Sequence, residues 1–187
     1  MKLNIAVDID GVLGDQVTPI LLKINAEQGL NISKDDITRW NEPVGNNTID
    51  IEIETALLND DFILSMPLIE YSQEGMRNLG KHNHIIIATN RPKQTERATI
   101  KWLQSNFTFD EFYNTRHSGK NLIKADILID DYINNILNFA NSGRTGILFS
   151  QPWNYNSSCL DHLINQHRVY RCINWKSVVY TIMNIRK

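Results

Sequence analysis

The sequence predicts a three-layer α/β sandwich built on a parallel sheet, and three observations carry that prediction. Its apolar runs are continuous rather than alternating, as in Leu3, Ile5, Ala6, Val7 and Ile9, which suits strands buried on both faces. These runs alternate with segments of helical periodicity, the order that βαβ units require. Unusual polar clusters fall where each run stops: Asp8 and Asp10, Thr89-Asn90-Arg91, Asp130-Asp131, and Ser150-Gln151-Pro152-Trp153-Asn154. In parallel sheets of this kind, ligands bind outside the carboxyl ends of the strands.

The first run leads into Gly11, which permits a sharp turn, and then a helix with its apolar stripe at Ile20, Leu21 and Ile24 and its stop at Gly29. Residues 31–60 differ in kind. They are polar, with a helix start at Ser33-Lys34-Asp35-Asp36 and a second helix over 49–58, so 15–70 reads as a small helical insertion ending near Pro67. The core, residues 1–14 and 71–187, resumes with a helix from Ser72 to Gly80. Residues 84–88 form the second strand, running to Thr89, and Thr95 caps a helix to Asn106. His82 and His84 read as turn residues at that strand's start. A third strand over 125–129 ends at Asp130. It is followed by a helix with Ile133, Ile136, Leu137 and Ala140 on one face and Gly143 as its stop. A fourth strand covers 145–149 and a weaker fifth 167–173. Asn174 then caps a last helix whose stripe is Trp175, Val178, Val179, Ile182 and Met183.

Composition narrows the function. The 187 residues suit one domain with a modest insertion, and a net charge of −2 argues against a nucleic-acid polymer as partner. No apolar run approaches the ~20 residues of a membrane span. The two cysteines make no disulfide framework, and Met1-Lys2 does not open a secretory leader, so a cytoplasmic protein is expected. Cys159, His162, His167 and Cys172 have a superficial zinc spacing, but Cys172 falls in the fifth strand as a core residue. Arg186 and Lys187 read as a solvated face.

The strand-end acids carry the chemistry. Buried carboxylates converging at one sheet edge need a hard cation, and Mg²⁺ prefers a few carboxylates together with substrate phosphate oxygens. Lys120, ten residues before Asp130, completes the charge balance around a phosphate, and Thr89 and Asn90 offer it neutral donors. Arg91 either reaches that phosphate or caps a helix. One carboxylate of the Asp8/Asp10 pair can attack phosphorus, while the other transfers the proton to the leaving oxygen.

Asp8-Ile9-Asp10-Gly11-Val12, the strand ending in Thr89, Lys120, and Leu128-Ile129-Asp130-Asp131 resemble, in order and spacing, the four motifs of the haloacid dehalogenase-like hydrolases. The resemblance covers the chain outside the insertion and implies a Rossmann-like sheet with a small helical cap after the first strand. It makes Asp8 the nucleophile and Asp10 the general acid/base, with Thr89 and Lys120 on the phosphate. Mg²⁺ would be held by Asp8, the Asp10 carbonyl and Asp131, with Asp130 the second choice. The acid at position 10 implies a phosphatase.

More narrowly, Asp61-Phe62-Ile63, Pro67, residues 119–131, Ile147-Leu148-Phe149 with Asn154, and Asn174-Trp175 are similar to the 5′(3′)-deoxyribonucleotidase family. That similarity implies a small-molecule phosphomonoester as substrate, a deoxynucleoside monophosphate, with a homodimer admissible. Gln16 stands where that family leads one to expect an aromatic near the base. Trp40 is the candidate for stacking on the base, or else a core residue of the cap. The alternatives are a phosphatase of the same fold acting on another small metabolite or on a nucleic-acid 3′-phosphate end, and a non-catalytic nucleotide-binding module.

Overall fold

The computed structural model describes residues 2–116 and 118–185. Arg186 and Lys187 lie outside the described residues. The chain runs β1 (Asn4–Val7), α1 (Val17–Gln28), a short hairpin β2 (Pro43–Val44) and β3 (Asn47–Thr48), α2 (Ile49–Ala56), α3 (Asp60–Ser65), α4 (Ser72–Gly80) and β4 (His84–Thr89). It continues through α5 (Glu96–Asn106), β5 (Glu111–Asn114), β6 (Ile127–Asp130), α6 (Ile133–Asn141), β7 (Thr145–Phe149), α7 (Asp161–Asn165), β8 (Val169–Cys172) and α8 (Trp175–Ile185).

Six strands form one sheet in the order β5-β4-β1-β6-β7-β8, with every neighbouring pair parallel. Strand alternation divides the core into two layers. Ile5, Val7, Ile85, Ile87, Ile129 and Ile147 pack with α1, α4, α5 and α8 on one face. Ala6, Ile86, Leu128 and Leu148 pack with α6 and α7 on the other. The three-layer α/β sandwich predicted from the continuous apolar runs is the observed architecture.

The sequence reading missed one strand of this sheet, and also the short β2–β3 hairpin within residues 15–70. Glu111–Asn114 pairs with β4 at the sheet edge, where a short segment with charged and polar side chains can be solvated on its free side. His84 opens β4 instead of lying in a turn, and its ring contacts that edge strand: Nε2 is 2.6 Å from Glu111 Oε1 and Nδ1 is 3.4 Å from Asp110 Oδ2.

Helix ends mostly follow the expected residues. Gly29 takes a left-handed φ of 65° and its N–H donates to the Asn25 carbonyl, closing α1. The Asn174 side chain accepts from Ser177 N–H at the start of α8. Thr95 does not cap α5 with its side chain. Its hydroxyl donates instead to the carbonyls of Leu57 and Pro92, tying the helix start to residues 15–70. Ser33 and Asp36 do form a reciprocal pair, but the helix they start is a single turn, Lys34–Asp36. On α8, Met183 faces solvent, because Trp175, Val178 and Ile182 already fill the inner stripe.

Residues 15–70 leave the sheet at the turn after β1 and return beside their own start. Asp15 N–H donates to the Pro67 carbonyl and Ile69 N–H to that of Leu13, both at 2.8 Å. Ile20, Ile37, Val44, Ile49 and Ile63 of this segment join the same apolar cluster as the sheet. The two ends are therefore pinned together, and the body of the segment rests on the edge of the core.

Candidate active site

Two strands at the centre of the sheet, β1 and β6, end side by side, and the residues that follow them define the site. Asp8 follows β1 directly, its backbone N–H donating to the Ile129 carbonyl of β6. The chain then turns at Gly11, whose φ of 72° is a left-handed conformation that glycine adopts without strain. A Cβ at this position would lie 2.3 Å from Asp131 Oδ2, so glycine also makes room for that carboxylate. Two glutamines brace the turn: Gly11 N–H donates to Gln16 Oε1, and Gln151 Nε2 donates to the Gly11 carbonyl.

Asp8, Asp130 and Asp131 place one carboxylate oxygen each within 4.8 Å of one another, all three buried. Lys120, on a one-turn helix in the β5–β6 connection, reaches between two of them, 2.7 Å from both Asp8 Oδ1 and Asp130 Oδ2. Three carboxylates against one ammonium leave the cluster net negative in a desolvated place. Burial, with repulsion from Asp130 and Asp10, pushes Asp8 up to about 7 against the opposing pull of Lys120. Burial, with Asp130 and Asp8 nearby, likewise holds Asp131 well above the usual carboxylate range. Burial alone would lower Lys120, but Asp130 and Asp8 outweigh it and hold the ammonium above its ordinary range. Hard oxygen donors at this spacing, short of positive charge, suit a divalent cation such as Mg²⁺.

The two adjacent acids have different surroundings. Both oxygens of Asp130 have protein donors: Lys120 Nζ and Asn135 Nδ2 donate to Oδ2, and Tyr132 N–H donates to Oδ1. Asp131 accepts from Trp153 Nε1 on Oδ2 at 2.8 Å, and among the described residues nothing donates to its Oδ1. An oxygen without a protein partner favours Asp131 over Asp130 as a cation ligand. Thr89, at the end of β4, has its hydroxyl buried with no hydrogen-bond partner among the described residues. Asn90 beside it is exposed.

Sequence reasoning missed the partner of Asp10. Arg91 neither caps a helix nor stands free for a phosphate. Its Nε donates to Asp10 Oδ2 at 2.9 Å and its Nη2 to Oδ1 at 2.6 Å, with the guanidinium fully buried. Thr99 Oγ1 and Met66 Sδ complete its surroundings. An Arg two residues beyond the strand-end Thr was the available signal, but spacing alone could not choose its partner.

Trp40 is half-buried and packs on Trp153, ring centroids 5.0 Å apart at 44°. Gln16 is buried beneath the Gly11 turn, and its Nε2 has no hydrogen-bond partner among the described residues. Cys172 lies in the core at the end of β8 while Cys159 is exposed, as the core reading of Cys172 required. A cavity of about 790 Å³ lies elsewhere, against β4 and β5, and none of the clustered carboxylates lines it.

Comparison with known proteins shows which family and fold the chain shares. The family described as 5′ nucleotidase, deoxy (pyrimidine), cytosolic type C matches residues 2–187. A 5′(3′)-deoxyribonucleotidase of Bacillus subtilis is 32% identical over 182 residues, covering 95% of this chain and 97% of the relative. Among solved structures, a haloacid dehalogenase-superfamily hydrolase from Ehrlichia chaffeensis superposes with a TM-score of 0.60 at 17% identity, each chain covered completely. The D,D-heptose 1,7-bisphosphate phosphatase of B. bronchiseptica, solved with magnesium and phosphate, superposes at 0.55 with 12% identity over 99% of both chains. Likeness at these identities establishes the shared fold.

Proposed function

Because the chain belongs to the cytosolic type C deoxy(pyrimidine) 5′-nucleotidase family, and so is a phosphoric monoester hydrolase, we propose that it hydrolyses 5′ or 3′ deoxynucleoside monophosphates with Mg²⁺ through an aspartyl-phosphate on Asp8. The observation that carries this reading is the cluster of Asp8, Asp130 and Asp131 around Lys120, on two adjacent strand ends. A bound Mg²⁺ would supply neutralising charge for the phosphate oxygens. Asp8, Asp131 and the Asp10 carbonyl would hold it.

The chain's own groups supply the rest. Asp8 uses one oxygen on Lys120 and keeps the other for attack on phosphorus. Lys120 spends two of its three N–H donors on Asp8 and Asp130, leaving the third for a phosphate oxygen. The Thr89 hydroxyl offers another donor, and Asn90 a third. For general acid catalysis Asp10 must free one oxygen from Arg91 to carry a proton, which it gives to the leaving nucleoside oxygen as the ester bond breaks. The carboxylate so formed then takes a proton from the water that cleaves the acyl-phosphate. Residues 15–70 act as the cap that selects the leaving group, with Trp40 as its base contact. The Trp40–Trp153 packing supports this by bringing that segment to the carboxylates.

The test is phosphate release from a panel of deoxy- and ribonucleoside monophosphates and sugar phosphates, with Mg²⁺ and with chelator. Deoxynucleotides should be preferred and chelator should abolish turnover. A preference for sugar phosphates would remove the nucleotidase substrate.

A further inference from the structure

The segment Gln151-Pro152-Trp153-Asn154 follows β7 and touches both loops that carry the acids. Gln151 holds the Gly11 carbonyl, while Asn154 Nδ2 donates to the backbone carbonyls of Asp131 and Phe149. Trp153 sits between them, 6% exposed, with its indole N–H on Asp131 Oδ2 and its ring 3.3 Å from where a Cβ of Gly11 would lie. The same ring carries Trp40 at 5.0 Å and Lys34 Nζ at 5.5 Å from its centroid, and that ammonium is also 3.2 Å from Asp15. A single side chain thus contacts, on one side, the acid that keeps an oxygen without a donor among the described residues and, on the other, residues 15–70.

We propose that Trp153 is a positioning residue: its indole N–H pins one oxygen of Asp131 so that the other faces the cation, and Trp40 ties that orientation to the seating of residues 15–70. A carboxylate without this bond can rotate about its Cβ–Cγ axis, and both oxygens would compete for the cation in changing directions. Hydrogen-bond partners of metal ligands typically change metal affinity by about 10–100-fold when removed. The inference rests on the Mg²⁺ reading of this site and deepens it.

Calorimetric titration of the chelator-treated protein with Mg²⁺ alone, without nucleotide, tests it. Trp153→Phe keeps an aromatic ring on the Trp40 side but removes the N–H together with part of the indole, so the Mg²⁺ dissociation constant should rise by about 10–100-fold with a lower melting temperature from the smaller buried ring. Trp40→Ala keeps the N–H but strips its support, and should weaken Mg²⁺ binding in the same direction by less. An unchanged Mg²⁺ affinity in Trp153→Phe overturns the positioning role, and wild-type affinity in Trp40→Ala overturns the link to residues 15–70. If Trp153→Phe does not fold, ¹⁵N–¹H spectra of the wild type serve instead: of the four indole N–H signals, Trp153's should shift most on Mg²⁺ addition. A Trp153 signal that stays still while the protein binds Mg²⁺ is equally fatal. Wild-type protein that neither binds Mg²⁺ nor releases phosphate would instead overturn the functional reading itself.

Discussion

Arg91 holds Asp10 by two N–H donors at 2.9 and 2.6 Å, with its own side chain wholly shielded from water and that of Asp10 20% exposed. The pair joins the end of β4 to the turn after β1, 81 residues apart in sequence. It fixes the plane of the Asp10 carboxylate, the group proposed to transfer the proton. It also leaves a buried cation whose one carboxylate partner among the described residues is Asp10.

That dependence predicts unequal mutants. Asp10→Asn strands the guanidinium, and removing one partner of a buried pair costs about 3–5 kcal/mol. The melting midpoint should fall by roughly 6–20 °C for a chain of this size. Adding Arg91→Met should restore much of the loss, since the stranded charge is gone. Thermal melts of the two single variants and the double variant give the coupling energy. Additive single losses would contradict the pairing.

Asp8→Asn should lower turnover by at least about 10³-fold, as losing a nucleophile does elsewhere, and leave the fold intact. Burial and its acidic neighbours disfavour the Asp8 carboxylate, so at pH 8 without metal the amide should melt no lower than wild type. Acid-quenched reactions should show phosphate bound covalently to wild type but not to the variant. Appreciable residual turnover would remove Asp8 as nucleophile.

The raised acids also make stability depend on pH. Asp8 titrates near 7 in the folded protein against an ordinary 3.8, so between those values the folded state holds a proton that the unfolded chain has released. This contribution is full below about 4 and disappears as pH climbs through 7. Chelator-treated protein should therefore melt higher at pH 5.5 than at pH 8, with Asp131 adding in the same direction. Saturating Mg²⁺ should narrow the difference, because it favours the ionised cluster. Melts at both pH values, with and without Mg²⁺, check the sign.

Gly11→Ala brings a methyl to 2.3 Å from Asp131 Oδ2 and forces a left-handed backbone on an L-residue, itself a cost of roughly 1–2 kcal/mol. The carboxylate must move off Trp153. The expected outcome is a modest drop in melting temperature with a disproportionate, about 10–100-fold, loss of Mg²⁺ affinity, read by calorimetry.

Much of this was legible in the chain. The runs at 3–9, 84–88, 125–129 and 145–149 signal buried strands because apolar continuity is a local property of sequence. The strand-end acids stood out because buried carboxylates need a partner. Glu111–Asn114 escaped notice because an edge strand needs no apolar run. The side-chain task of Thr95 was misread because its hydroxyl reaches Leu57, 38 residues away, rather than its own helix.

The sequence by itself determined the sandwich, the turn at Gly11 and the set of acids at the strand ends, all consequences of short-range pattern and backbone conformation. Only the tertiary structure decided which cation each acid faces: Lys120 for Asp8 and Asp130, and Arg91 for Asp10. It also gave Asp131 an indole in place of a cation, leaving one of its oxygens without a donor among the described residues. Ion pairs and hydrogen bonds form between groups that folding brings within 3 Å, and their separation along the chain carries no record of that distance.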